Sequence, residues 1–273
     1  MKAVESFRHE EVQGFRFGAS PSNKSKMPSL AYFIDGMLID TGHINMKREI
    51  EAALIQLPIQ QVFITHYHED HTGNLIHFQE ERGLPSYAHP RCVEIMKNPP
   101  KISLPQHIRW GNRPANFKLK PVEGEIQTEH YSFQIIEIPG HASDMVGLYE
   151  PKKNWLFSSD LYVHHKIKYF LKSERFQPQI DSIKKILELD FDVMFCGHNP
   201  QFSGAKALLQ RKLQFLIDFQ GEVLRFHQAG YSPANIMKAM KLKEIWAMRL
   251  LSWNYLSTLN MIKAVLKDEG FIN

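Results

Sequence analysis

Cysteine is scarce: only Cys92 and Cys196 occur among 273 residues. Two thiols cannot build a disulfide framework, and a reducing interior suits the chain. No apolar stretch approaches the roughly 20 residues that a membrane span needs. Residues 1–10 carry no long apolar segment of the secretory kind. A cytoplasmic protein with no membrane partner is the expectation. An excess of one charge is lacking too. Lys and Arg number 33 against 29 Asp and Glu, a net +4, which permits anionic substrates but falls short of the footprint of a dedicated nucleic-acid binder. No low-complexity tract or internal repeat is apparent, which argues against disorder and repeat architectures. What is there is an ordinary globular composition, 43% hydrophobic and 23% charged. The length suits one large domain, or a domain of about 200 residues with a small appendage.

One stretch breaks this plain pattern. Val62-Phe63-Ile64-Thr65 is an apolar, strand-like run that empties into His66-Tyr67-His68-Glu69-Asp70-His71-Thr72-Gly73-Asn74. His66 and His68, two apart in an extended segment, project to one side and can grip one ion. After the chain bends, Asp70 and His71 can face a second ion beside it, so a paired-metal hydrolytic site follows. A single histidine after an apolar run is usually satisfied by hydrogen bonds and binds nothing. Four ligand-type side chains in six positions are different, because desolvation and repulsion oppose such crowding unless a cation engages the imidazoles and neutralises the carboxylate.

The same context recurs along the chain. Residues 30–34 and 37–40 flank Asp35-Gly36, a hairpin signal, and the second strand ends at Asp40. Runs at 133–138, 155–158 and 191–196 end in Pro139-Gly140-His141, Ser159-Asp160 and Gly197-His198. Five strand ends thus deliver Asp40, the His66 cluster, His141, Asp160 and His198 to one rim, where a rigid sheet fixes the loops that carry reactive groups. Helices are expected at 46–57, 74–82, 91–97 and 179–189. Residues 19–29 and 98–121 read as loops, the second long enough to be a binding element. From 205 onward the pattern is helical throughout, with helices at 205–228, from Ser232-Pro233, and a third through about 267. The tail holds ten Lys and Arg against five Asp and Glu, which a solvated helical face explains more simply than a phosphate-binding surface.

These motifs resemble the metallo-β-lactamase-fold superfamily, and its glyoxalase II and lactonase-like branches in particular. Thr65 to Asn74 carries the resemblance, together with Leu38-Ile39-Asp40-Thr41-Gly42, Pro139-Gly140-His141, Ser158-Ser159-Asp160 and Cys196-Gly197-His198. It implies an α/β fold, a four-layer αββα sandwich over 1–204, with an appended helical segment at 205–273. By position it implies that His66, His68 and His141 hold one metal, that Asp70, His71 and His198 hold the other, and that Asp160 bridges. Asp40 would orient the ligand loop without binding metal. The activity implied is a dinuclear-metal hydrolase whose bridging hydroxide cleaves an ester, thioester or lactone bond of a small molecule, with Asp70 as a proton shuttle to the leaving group. Zinc suits the imidazole and carboxylate set, although iron and manganese are also accepted by it. A two-metal phosphodiesterase or ribonuclease is the alternative. An iron-dependent oxidoreductase and a metal-binding module without catalysis rank lower.

Other residues are weighed beside these. His164, His165, Lys166, Lys168 and Tyr169 follow Asp160 and are candidates for substrate contact, with an exposed loop as the plain alternative. Arg109, Trp110 and Arg113 are candidates to line a channel. His89 and His43 read as structural, Cys196 as a small packed hydrophobe, and Trp246, Trp253 and Tyr255 as core. No motif identifies the substrate, and oligomerisation stays open.

Overall fold

The computed structural model describes residues 2–19, 28–113 and 118–272. Most of the loop expected at 19–29, and 114–117 of the loop at 98–121, lie outside them. The first half of the chain builds one sheet from β1 (Lys2–His9), β2 (Val12–Ala19), β3 (Ser29–Ile34), β4 (Met37–Ile39), β5 (Gln61–Ile64), β6 (Ser86–Ala88) and β7 (Leu119–Pro121). Its spatial order follows the chain, antiparallel from β1 to β4 and parallel from β4 to β7. The second sheet has the order β13-β11-β10-β9-β8, from β8 (Glu125–Gln127), β9 (Ser132–Glu137), β10 (Val146–Glu150), β11 (Trp155–Ser159) and β13 (Val193–Cys196). A short ribbon pairs β12 (Phe170–Leu171) with β14 (Leu256–Ser257).

Side-chain alternation along β3 divides the core in two, as a period of two requires. Leu30, Tyr32 and Ile34 face the second sheet and pack with Phe133, Leu148, Trp155, Phe157 and Phe195. Ala31 and Phe33 face outward, toward α1 (Lys47–Leu54) and α3 (Pro90–Lys97), which bury Ile50, Leu54, Cys92 and Met96. On the far side, Tyr149, Leu156 and Met194 of the second sheet belong to the same outer apolar cluster as α5 (Phe176–Leu187), α6 (Ala205–Gln228) and α9 (Thr258–Asp268). Two sheets face to face with helices on both outer faces form a four-layer αββα sandwich. The remaining α-helices are α2 (Glu69–Thr72), α4 (Leu104–Trp110), α7 (Pro233–Ala239) and α8 (Trp246–Leu251), beside a 3-10 turn at Ile44–Met46 and a π-helical turn at His77–Glu81, within the helix expected at 74–82.

Three expectations are corrected. The stretch 98–121 is not a plain loop, because α4 forms inside it with a reciprocal Ser103/Gln106 capping box, Pro105 in the first turn and Gly111 at φ +83° as its stop. The stretch from 205 is not helical throughout: the helix expected through about 267 is α9 (Thr258–Asp268), and a further short helix and a strand precede it. Lys241, Trp253 and Asn254 take positive φ and interrupt the tail between α7, α8 and β14. Trp246 and Trp253 are not core, at 60% and 85% exposed, since α8 buries none of its residues and Trp253 sits in the positive-φ turn after it.

Candidate metal centre

The parallel pairs β4/β5 and β11/β13 end at the same rim, and hydrogen bonds between the two sheets close it. Leu30 N–H donates to the Gly197 carbonyl at 3.0 Å, and Val146 N–H to the Thr65 carbonyl at 3.0 Å. The Tyr32 hydroxyl donates to the Cys196 carbonyl at 2.5 Å. The chain turns sharply at the ends of β4 and β11, with Asp40 at φ +60° and Ser159 at φ +49°. Those turns swing Asp40 and Asp160 inward, and these two, with His66 and His198, are all buried.

The side chains named from the sequence gather in two groups. Donor atoms of His66, His68 and His141 lie within 4.8 Å of one another, and so do those of Asp70, His71, Asp160 and His198. His68 Nδ1 sits 3.0 Å from both His66 Nε2 and His141 Nε2. Asp160 lies between the groups, its Oδ2 3.4 Å from His141 Nε2 and 3.1 Å from His198 Nε2. Asp70 Oδ2 is 3.5 Å from His198 Nε2 and 3.8 Å from His71 Nε2.

The far sides of four imidazoles are held by oxygen. His66 Nδ1 meets the Ser159 hydroxyl at 3.1 Å, His71 Nδ1 the Asp40 carboxylate at 2.7 Å, His141 Nδ1 the Glu174 carboxylate at 3.3 Å, and His198 Nδ1 the Pro28 carbonyl at 2.7 Å. Each contact turns the opposite nitrogen into the cluster, the arrangement by which outer partners orient metal ligands. Asp40 also accepts from Thr65 N–H at 2.9 Å, so it fixes the start of the histidine segment. Asp144 accepts from Tyr67 N–H at 2.9 Å and fixes its middle. The buried atoms His71 Nε2 and Asp160 Oδ1, both turned toward the cluster, make no hydrogen bond among the described residues. Five imidazoles and two carboxylates converging with such inward-aimed atoms form a donor set that fits two divalent cations.

The charges follow the same division. Burial, with neighbouring imidazoles, pushes His66 and His68 well below the ordinary histidine range. Burial opposes protonation of His71 as well, yet Asp40, Asp160 and Asp70 together hold it well above that range. His198 rises to about 9 against burial because Asp160 and Asp70 face it. Glu174 raises His141 in the same way. Burial would raise Asp160, but His198 and His71 overcome it and hold the carboxyl well below the usual range.

A cavity of about 480 Å³ opens onto both groups. His164, Lys166, Lys168 and Tyr169 line it, as do Arg109 and Trp110; His165 does not, its ring lying against His164 at 4.2 Å. Arg113 instead packs over Tyr67 at 5.3 Å and pairs with Glu69 at 3.7 Å. His89 accepts from Arg91 N–H at the start of α3. His43 is buried beside Trp110. Cys196 is fully buried, its thiol pushed up to about 12 by burial, and it accepts from His198 and Asn199 N–H. Sequence reasoning did not find Glu174, Asp144 or Lys212. The first two act through contacts distant in sequence, and Lys212 looks like any helical lysine until α6 buries it against the cavity.

Two facing sheets, helices outside, and histidine and aspartate clusters at one rim of strand ends define a class of metal-centred proteins. The chain belongs to the Metallo-beta-lactamase superfamily, whose sequence model matches residues 26–198. It is 23% identical over 242 residues to the Beta-lactamase-like protein 2 homolog of Caenorhabditis elegans, covering 85% of this chain and 73% of that protein. It is 25% identical over 146 residues to the hydroxyacylglutathione hydrolase of Hydrogenovibrio crunogenus, covering 52% of this chain and 46% of that protein. A beta-lactamase domain protein from Burkholderia ambifaria shares the fold with a TM-score of 0.71 at 14% identity, covering 96% of this chain and 88% of that one.

Proposed function

We propose that the chain is a dinuclear-metal hydrolase that cleaves an ester, thioester or lactone bond of a small molecule. The observation that carries this reading is the placement of both donor groups at the floor of one cavity of small-molecule size. His66, His68 and His141 would hold one ion and Asp70, His71 and His198 the other, with Asp160 shared between them. When bound, the pair supplies Lewis acidity and an activated water nucleophile. Zinc fits this donor set best, and iron or manganese are also compatible with it.

The chain's own groups do the rest. Trp110, Ile167, Leu171, Met248 and Leu256 give the cavity an apolar wall, which seats the body of an acyl compound and excludes water around the scissile bond. Lys166, Lys168 and Tyr169 present cationic and hydroxyl groups along the same wall, suited to an anionic or carbonyl-bearing end. Asp70 would pass a proton to the leaving group. The named activity of the hydroxyacylglutathione hydrolase relative supports an acyl compound. The cationic side chains of the cavity keep a phosphodiester as the second reading.

The test is a metal-reconstituted screen over thioesters, lactones, phosphodiesters and RNA. Multiple turnover is expected on an ester, thioester or lactone, lost with chelator and in Asp160→Ala. Cleavage confined to RNA, or no hydrolysis in protein carrying about two ions per chain, overturns the proposal.

A further inference from the structure

Large apolar side chains are exposed around the mouth of the cavity. Leu104 and Ile108 stand one turn apart on α4, at 50% and 67% exposed. Trp246 and Leu250 stand one turn apart on α8, at 60% and 70%, followed by Leu251 and Trp253. Val163 is exposed on the segment after Asp160. The two helices pack against each other, and their other faces supply Pro105, Trp110 and Met248 to the cavity wall. Among the described residues, only one other large apolar side chain, Ile55, is exposed by more than half. Isolated exposed leucines mean little, but a group of this kind continuous with a cavity marks an interaction surface.

The charge around the group is one-sided. Residues 101–110, 163–172 and 241–256 carry eight Lys and Arg and a single acidic residue, Glu244. Glu244 has a fully buried side chain paired with Arg249 at 3.4 Å, so that pair is neutral and seven unbalanced cations are left in these segments. Tryptophan and aliphatic side chains ringed by lysine are what a protein lying on an anionic lipid surface requires. The apolar groups enter the headgroup and acyl boundary, and the cations meet lipid phosphates.

We propose that the α4/α8 rim docks on an anionic lipid bilayer, so that the cavity opens toward the membrane surface. The absence of any helix long and apolar enough to cross a membrane among the described residues is compatible with this, because surface attachment needs no span. A second copy fits the rim poorly, since a two-fold contact would set like-charged rims against each other. Single-stranded nucleic acid matches the charge, but bases stack on aromatic faces, and five of the seven exposed apolar residues are aliphatic. The inference does not depend on the hydrolase reading, and its readout is binding.

Full-length protein is to be sedimented with vesicles of phosphatidylcholine alone and of phosphatidylcholine with phosphatidylglycerol. Binding to the anionic vesicles only is expected, with a blue shift of tryptophan emission, because Trp246 and Trp253 are exposed whereas Trp110 and Trp155 are buried. Leu250→Ser with Trp253→Ser, and separately Lys241→Glu with Lys243→Glu, should each weaken partitioning about tenfold at unchanged far-UV circular dichroism. Failure to bind anionic vesicles overturns the proposal, as does binding that neither pair alters. It is also overturned if vesicles are ignored while a single-stranded RNA oligonucleotide, or a second copy in a concentration-dependent dimer, responds to the same substitutions.

Discussion

Glu174 links the cavity wall to the first histidine group. Its carboxylate meets His141 Nδ1 at 3.3 Å and also accepts from Leu171 N–H and Gln179 Nε2–H. Glu174→Gln keeps an oxygen for the backbone contact but removes the charge that orients His141. Metal affinity should fall about tenfold or more, read by competition with a chromophoric chelator, with the fold intact; unchanged affinity would remove Glu174 from this role. The cluster's protons give a second prediction. His198 has its pKa raised to about 9 in the folded protein, above the ordinary value of about 6.5. Its stabilising contribution is therefore complete below pH 6.5 and is lost as pH rises through 9. His71 and His141 act in the same direction. Glu69 joins them: burial raises it to about 7, and its contribution is lost as pH rises through that value. Lys212, lowered to about 8 by burial, works the other way, but only above pH 8. Chelator-treated protein should thus lose about 2 kcal/mol from His198 alone between pH 6.5 and 8. Thermal unfolding across that window checks it, and metal-loaded protein should not follow the trend, because the ions replace those protons.

At the scale of elements, the site depends on how closely β11 and β13 approach where they end. Gly197 N–H donates to the Ser159 carbonyl at 2.8 Å. A methyl group at Gly197 would run into Asp160 Oδ1 and come within 2.9 Å of His71 Cε1. Gly197→Ala should therefore displace the second donor group while leaving the sheets formed. Elemental analysis is expected to fall from about two ions per chain toward one, with circular dichroism unchanged, and a variant that keeps both ions would contradict the steric argument. The strands that deliver the site were legible because apolar runs with short turn signals, such as Asp35-Gly36, depend on local chemistry, whereas β7, β8, β10, β12 and β14 were not read. Equally legible was the placing of Asp40, His66, Asp160 and His198, which follow directly on the site's strands. Helix α4 was misread because prolines were counted as loop, whereas Pro105 occupies the first turn, where a missing N–H is harmless. The Ser103/Gln106 box and Gly111 were the signals for it. Glu174 left no local signal, and the exposure of Trp246 and Trp253 could not follow from helical spacing, which says which residues share a face but not what covers that face.

At the scale of the molecule, the helical tail and the sandwich share one core. Leu209, Leu216, Phe219 and Val223 of α6, with Met261, Ile262 and Val265 of α9, belong to the same apolar cluster as Phe170, Phe176 and Ile180. The rings of Phe176 and Phe219 stack at 5.5 Å. Polar contacts tie the same parts together: Asp268 of α9 accepts from Phe176 and Gln177 N–H at the start of α5, and Lys212 Nζ donates to the Leu161 carbonyl just after Asp160. Removing 205–273 would strip away at least these seven large buried side chains. At about 1.5–3 kcal/mol each, that loss is about 10 kcal/mol or more, comparable with the 5–15 kcal/mol net stability of a typical domain. It would also leave the α5 N-terminus uncapped and take Met248 and Leu256 from the cavity wall. A fragment of residues 1–204 should consequently fail to fold, whereas the full chain should unfold in a single transition that metal shifts upward as a whole. Circular dichroism melts of both, with and without added zinc, make the comparison. A fragment that melts cooperatively and still gains stability from zinc would show that the sandwich carries the metal centre unaided, and would reduce the tail to a separate cover over its mouth.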